Sequence, residues 1–124
     1  MGLDRSIHFA EGNAPTWDAI RTSLLELGFE VSLRMIDNLP AFPDETPEET
    51  WREIRVGFAS GMVALRRGTT RISCTVWGNA DERLRQAWNA LSWACATAGF
   101  GTIETEGGPR SAAEFARETG LIPS

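Results

Sequence analysis

WREIRVGFASGMVALRRGTTRISCTVWGNADERLRQAWNALSWACATA, residues 51–98, reads as three strands joined by two tight hairpins and followed directly by an amphipathic helix. Ser60-Gly61 and Gly68-Thr69 carry the glycine that two-residue hairpin loops favour. With those pairs as the loops, Phe58 faces Val63, Val56 faces Leu65, Leu65 faces Ile72 and Val63 faces Cys74. Every pair is apolar, the consistency expected of a sheet with one buried face, because a slip of one residue would turn the whole set to water.

The same register predicts the composition of the opposite face. Arg55 falls opposite Arg66, and Arg66 opposite Arg71, so three guanidiniums line one row across three strands. Gly57, Ala64 and Ser73 form the neighbouring row and Ala59, Met62 and Thr75 the row beyond, with Trp51 and Glu53 extending the face on one side and Trp77 on another. The expected picture is a shallow floor of small side chains edged by arginines, with aromatic rings near its ends.

Like charges directly opposite on a sheet destabilise it by roughly a few tenths of a kcal/mol per pair, so something must offset the row. Glu53, Glu30 or the acidic loop described below can supply ion pairs and leave an ordinary solvated face. Alternatively the arginine forks hold an anionic ligand, since their geometry suits carboxylate and phosphate. In a third reading a second copy, forming a homodimer through the sheet, or another protein covers the face.

Downstream of the third strand, which Gly78-Asn79 closes, Asn79-Ala-Asp-Glu82 has the form of a helix N-cap with an acid at the third position. Leu84, Ala87, Trp88, Leu91, Ala94, Cys95 and Ala98 then make one apolar stripe, predicting a helix over 80–98 laid across the sheet face that carries Val56, Leu65 and Ile72. Trp88 belongs to that stripe and reads as core; Trp93 lies off its centre, with no role assigned. Gly99 and Gly101 stop the helix, Thr102–Thr105 is a short strand, and Gly107 to Ser111 turn into a last helix over 111–119, with Ser111 and Glu114 as a capping box and Gly120 as its end. Amides at that helix start, beside Arg110, can hold an anion, although a turn into a capped helix accounts for the same residues.

Upstream, Trp17, Ile20, Leu24 and Leu27 recur at helical spacing, with Asn13 or Thr16 as cap and Gly28 as stop, predicting a helix over 15–27. Phe29, Val31, Leu33 and Met35 alternate with polar residues as in a half-buried strand ending near Asp37. Residues 38–50 hold three prolines and four acids and read as a solvated surface loop, without the ligand spacing of a calcium loop. Ser6–Phe9 is a candidate edge strand.

A chain of 124 residues, 42% hydrophobic, fits one domain spanning 1–124 with its own core. No apolar run approaches the roughly 18 residues of a membrane span, and the first residues lack the apolar core of a secretory signal, so a soluble cytoplasmic protein is expected. Cys74 and Cys95 fall at core positions, as reduced thiols would. A net charge of -5 with a pI near 4.9 argues against nucleic acid as partner. All 12 basic residues are arginine, consistent with a GC-rich, bacterial genome.

His8 is the single histidine, which excludes a two-histidine metal site and leaves any histidine-dependent triad resting on it alone. No phosphate-binding loop or dinucleotide motif follows a strand. Glu53 among arginines suits an ion pair better than a proton donor. The sequence thus predicts no catalytic residue, metal or cofactor. Its fold class is α+β, an antiparallel sheet of four or five strands with helices on one face and the other face open.

The expected function is a small non-enzymatic binding module engaging a protein partner or an anionic small ligand through Arg55, Arg66 and Arg71, with Glu53, Trp51, Trp77 and Met62 around them; neither nucleic acid nor a membrane is expected as partner. One alternative is an acidic inhibitor or immunity-type protein capping a basic enzyme through Asp44, Glu45, Glu48 and Glu49. Another is a small enzyme with an arginine-lined pocket for an anionic substrate.

Overall fold

Alternation of apolar and polar residues builds one antiparallel sheet. The computed structural model describes residues 2–77 and 79–121, and its elements follow in the order β1 (Gly2–His8), α1 (Trp17–Glu26), β2 (Ser32–Ile36), β3 (Leu39–Pro40), β4 (Glu53–Phe58), β5 (Gly61–Arg67), β6 (Arg71–Trp77), α2 (Glu82–Gly99), β7 (Thr102–Thr105), β8 (Gly108–Arg110) and α3 (Ala112–Thr119). The sheet has eight strands in the order β3-β2-β4-β5-β6-β1-β7-β8, with every neighbouring pair antiparallel. The α+β class stands, and the strand number of four or five is corrected to eight.

The added strands have physical reasons. β1 is no edge strand over 6–9; it pairs along its whole length with β6 and at its end with β7, in the middle of the sheet. Within the expected loop 38–50, Asp37 and Asn38 take left-handed φ of 49° and 67°, reversing the chain so that Leu39 and Pro40 pair with β2. Proline is tolerated there because β3 is an edge. At the opposite edge Gly108–Arg110, expected to be a turn, pairs with β7 and carries Pro109. The strand expected from Phe29 begins only at Ser32, with a bulge between Leu33 and Met35.

One face of the sheet is apolar. Ile7, Leu33, Ile54, Val56, Val63, Leu65, Ile72, Cys74, Val76 and Ile103 are each at most 1% exposed, and burying such side chains stabilises by about 1.5–3 kcal/mol apiece for the larger ones. Helix α2 packs on β5, β6, β1 and β7, with α1 on one flank and α3 on the other, α3 also touching β7 and β8. Flanked on both sides, α2 buries every residue from Ala90 to Ala96, so Trp93, outside the predicted stripe, joins the core beside Leu91 and Cys95.

The helix caps are local. Thr16 Oγ1 accepts from Ala19 N, and the Ser111–Glu114 capping box forms with Gly120 left-handed behind α3. The cap of α2 is Asp81, whose carboxylate accepts from Leu84 N at 2.9 Å, rather than Asn79. Gly78, expected to help close the third strand, lies outside the described residues.

Both hairpins differ from the expected register by two residues. Phe58 pairs with Gly61, Val56 with Val63 and Ile54 with Leu65, making Ala59-Ser60 the first loop. Leu65 pairs with Cys74, and Gly68 N donates to Arg71 O at 2.7 Å, making Thr69-Thr70 the second. An even shift leaves each residue on its expected face and changes every partner. The reason lies in Gly61: its φ is 142°, and a Cβ there would come within 3.0 Å of Leu84 Cδ2. The glycine serves the close approach of α2 to the hairpin, and the loop itself needs none.

Arg5 is a charged residue on the helix side. Its Nη1 donates to Asn89 Oδ1 at 2.9 Å and to Ser92 Oγ at 3.3 Å, and its guanidinium lies 3.7 Å from the Trp88 ring centre and 4.8 Å from that of Phe115. Desolvation lowers its pKa from the ordinary arginine value, yet arginine remains charged at any physiological pH. Trp88 is fixed in turn by Nε1 donating to Cys74 O at 2.9 Å. Arg5 therefore ties β1 to α2 and α3. Arg5→Met, which keeps the apolar stem, should lower the unfolding free energy in urea by about 1–3 kcal/mol through lost cation–π and hydrogen-bond contacts. Arg71→Met on the exposed face should change it by less than about 0.5 kcal/mol.

Candidate functional site

The second face of the sheet is built by the same alternation that buries the first. Glu53, Arg55 and Gly57 of β4, Met62, Ala64 and Arg66 of β5, Arg71, Ser73, Thr75 and Trp77 of β6, and Asp4, Ser6 and His8 of β1 occupy the alternate positions on the side away from α2. Across the strands they form two complete rows, Glu53–Arg66–Ser73–Ser6 and Arg55–Ala64–Thr75–Asp4.

The expected row of three arginines does not exist. Arg55 lies opposite Ala64, Arg66 opposite Glu53 and Ser73, and Arg71 opposite His8, so the arginines run diagonally and no two are directly paired. The two-residue shift removes the like-charge contacts that a row would impose. Arg66 Nε stands 3.6 Å from Glu53 Oε1, with the Arg66 side chain 73% exposed; such a pair contributes about 0–1 kcal/mol. The Arg55 guanidinium is 5.9 Å from the Trp77 ring centre.

The small-residue floor is partly roofed. Ala64 is only 6% exposed although it lies on this face. A Cβ on Gly57 would meet Arg34 Nε at 2.6 Å, which shows that the Arg34 side chain, displaced by the bulge in β2, lies across that glycine. Met62 and Trp77 remain 39% and 42% exposed.

Trp51 leaves the face altogether. It is 2% exposed, belongs to the core cluster, and has the Arg67 guanidinium 4.5 Å from its ring centre. Arg67 Nε also donates to Trp51 O at 2.9 Å, and Nη2 hydrogen-bonds Glu49 O. The alternation that assigned Trp51 to the open face applies only within a strand, and β4 begins two residues later at Glu53. Trp51 Nε1 is buried without a hydrogen-bond partner among the described residues.

Residues that sequence reasoning did not include come mainly from β1. Asp4, Ser6, Arg66, Arg71, Ser73 and Thr75, with Arg67 and Gly68, line a polar depression of about 480 Å³. Thr75 Oγ1 hydrogen-bonds Asp4 Oδ1. His8 Nε2 is 3.1 Å from Glu104 Oε2 in an exposed pair just beyond. The signal existed as the polar alternation of Asp4, Ser6 and His8, but Arg5 at an inward position broke the apolar half of the pattern. On the helix side a separate concavity of about 540 Å³ is walled by Phe29, Phe58, Ala59 and Ala87 with Arg83 and Gln86 among its lining.

The cysteines play no part in this face. Both are free and buried; desolvation pushes the Cys74 thiol up to about 12, and Cys95 well above its ordinary value, so neither offers a thiolate. Among the described residues no group of three or more His, Cys, Asp or Glu converges, and no helix is long and apolar enough to cross a membrane. The acidic loop is solvated: Asp44, Glu45, Glu48 and Glu49 are all exposed. The open face thus presents guanidinium and hydroxyl donors together with the carboxylates of Glu53 and Asp4.

No family model matches the chain, and neither a curated protein nor a solved structure does.

The start of β4, and with it Glu53, is fixed by Asp37, whose Oδ1 accepts from Arg52 N at 2.8 Å and Glu53 N at 2.9 Å while its own N donates to Glu53 O at 2.8 Å. The amide of Glu53, then that of Arg52, hold the carboxyl below its usual pKa. A depressed carboxyl pKa contributes stability above the unfolded-state value and loses it as pH falls through the folded-state one. Asp37→Asn should therefore melt below the native protein at about pH 7, and the gap should narrow as the pH is lowered below the ordinary carboxylate range. A gap that stayed constant across that range would show that the charge is not its source.

Proposed function

We propose that the chain is a non-enzymatic binding module that takes an acidic segment of a partner protein on its uncovered sheet face. The carrying observation is the combination of Arg34, Arg55 and Arg71, none in an ion pair with a carboxylate among the described residues, with exposed Trp77 and Met62 on the same face. Arginine and aromatic side chains are the groups most enriched at the energetic centres of interfaces. The remainder of the chain makes the contrast sharper, since the net charge is -5. A basic face on an acidic body attracts and orients an acidic partner while repelling it elsewhere.

The sheet edges favour the same conclusion. β3 is two residues long with Pro40, and β8 is three residues long with Pro109. Short proline-bearing edges resist strand addition, so the face offers a partner more than the edges do. The exposed carboxylates of Asp44, Glu45, Glu48 and Glu49 support a second reading, in which this loop caps a basic enzyme.

Titration with a peptide of alternating glutamate and leucine, followed by tryptophan fluorescence, separates the two. Trp77 is the most exposed of the five tryptophans, so Trp77→Phe identifies its contribution to the signal. The native protein should bind with an affinity that falls as salt rises, and the R34E/R55E/R71E triple variant should lose at least about tenfold. Undiminished binding by the triple variant would sink the face as the site. Binding of a lysine–leucine peptide instead, abolished by neutralising the four loop carboxylates, would favour the loop.

A further inference from the structure

We infer that the polar depression between β5, β6 and β1 is the subsite for a phosphorylated serine or threonine side chain within the segment that the face takes. This inference rests on the reading of the face given above. Its donors arrive from three strands. Arg66 leads the row into Ser73 and Ser6, which are directly paired, and Arg71 stands on the same strand as Ser73, two residues before it. All four line the one depression.

These donors have capacity left. Arg66 uses only Nε, at 3.6 Å, toward Glu53, and its side chain is 73% exposed, so its terminal amino groups are open to a ligand. Arg71 makes no ion pair among the described residues. The Ser6 and Ser73 hydroxyls are half-buried, and neither makes a side-chain hydrogen bond among the described residues. By contrast Arg67, which also lines the depression, is committed to the backbone of Trp51 and Glu49 and supplies no fork.

The shape of the donor set selects the anion. A carboxylate presents two oxygens in one plane and is satisfied by a single fork. A phosphomonoester presents three acceptor oxygens in three directions and carries about -1.5 to -2 charges at neutral pH. Two forks from different strands and the paired hydroxyls of Ser73 and Ser6 beside them suit the tetrahedral group. The depression has no apolar or aromatic wall for a nucleobase, since its lining is charged, hydroxylated or glycine. One row beyond Thr75, the same face carries Met62 and Trp77, which gives the residues flanking the phosphate an apolar surface. That continuity points to a side chain within an extended segment.

Asp4 is the opposing charge. It lies on the far side of the Ser6–Ser73 row from Arg71, hydrogen-bonded by Thr75. A carboxylate beside a bound dianion weakens it, so removing that charge must tighten binding. No purely structural role of Asp4 predicts this.

The experiment is calorimetric titration at fixed salt with a glutamate- and leucine-flanked phosphoserine peptide, its unphosphorylated twin, and inorganic phosphate. The phosphopeptide should bind the native protein about tenfold or more tightly than the twin, with inorganic phosphate weaker than both. Arg66→Met and Arg71→Met should erase the preference, Asp4→Asn should tighten the phosphopeptide several-fold, and Arg55→Met should weaken both peptides alike. Equal binding of the two peptides, unmoved by Arg66→Met and Arg71→Met, would overturn the phosphate subsite and leave the face standing. Inorganic phosphate binding as tightly as the phosphopeptide would overturn the side-chain source in favour of a free anion. Failure of both peptides to bind would overturn the face and the subsite together.

Discussion

Seven consecutive backbone pairs between β1 and β6, from Gly2–Trp77 to His8–Arg71, hold this sheet together. Strands β2 to β6 are joined to one another by hairpins and one longer loop, and β7 and β8 form a hairpin of their own. Only β1 touches both groups, and without it the sheet order would break into five strands and two. Placing β1 in that seam also places Ile7 beneath the helices against Ile72 and Ile103 and sets Arg5 between Trp88 and Phe115. The strand that completes the core is thus the one that completes the open face, because its alternate residues Asp4 and Ser6 supply one wall of the depression.

The parts of the fold legible in the sequence were those where side-chain periodicity and backbone pairing report the same thing. Val56, Val63, Leu65, Ile72 and Cys74 are all buried on one face, and their alternation survives a register error of two residues because the pleat repeats every two. Their partners were not legible, since glycine marks both turns and places of close approach, and Gly61 is the second kind. Leu39–Pro40 and Gly108–Arg110 pair through backbone alone at the sheet edges, where no side-chain pattern is required. β1 was hidden by Arg5: a strand with a charged residue at an inward position reads as polar on both faces unless the aromatic neighbours that accept it are already known.

The candidate site divides in the same way. Arg55, Arg66, Arg71, Met62 and Trp77 were placed on the correct face by alternation, whereas their mutual arrangement depended on the register and came out diagonal. Trp51 was misplaced because alternation was carried two residues beyond the strand. Ser6 and Ser73 carry no signal of their own in the sequence; they matter because two strands far apart in the chain set them side by side.

A chain with arginine and no lysine uses one side chain in two physical capacities. Arg5 and Arg67 lie over Trp88 and Trp51 and donate to backbone or neutral side-chain oxygens. A guanidinium tolerates this because it is planar, weakly hydrated and able to stack, and an ammonium in either place would retain water that the aromatic neighbours cannot replace. Arg34, Arg55, Arg66 and Arg71 stand on the face that no helix covers. There Arg34 lies across Gly57, and the Arg55 guanidinium stands 5.9 Å from the Trp77 ring centre. Arg34 over Gly57 and Arg55 toward Trp77 thus have contacts on the face, whereas Arg66 and Arg71 stand exposed. A side chain already held by such a contact loses less freedom on binding than a solvated one, so on the proposed reading of the face Arg34 and Arg55 would be ordered at lower cost than Arg66 and Arg71.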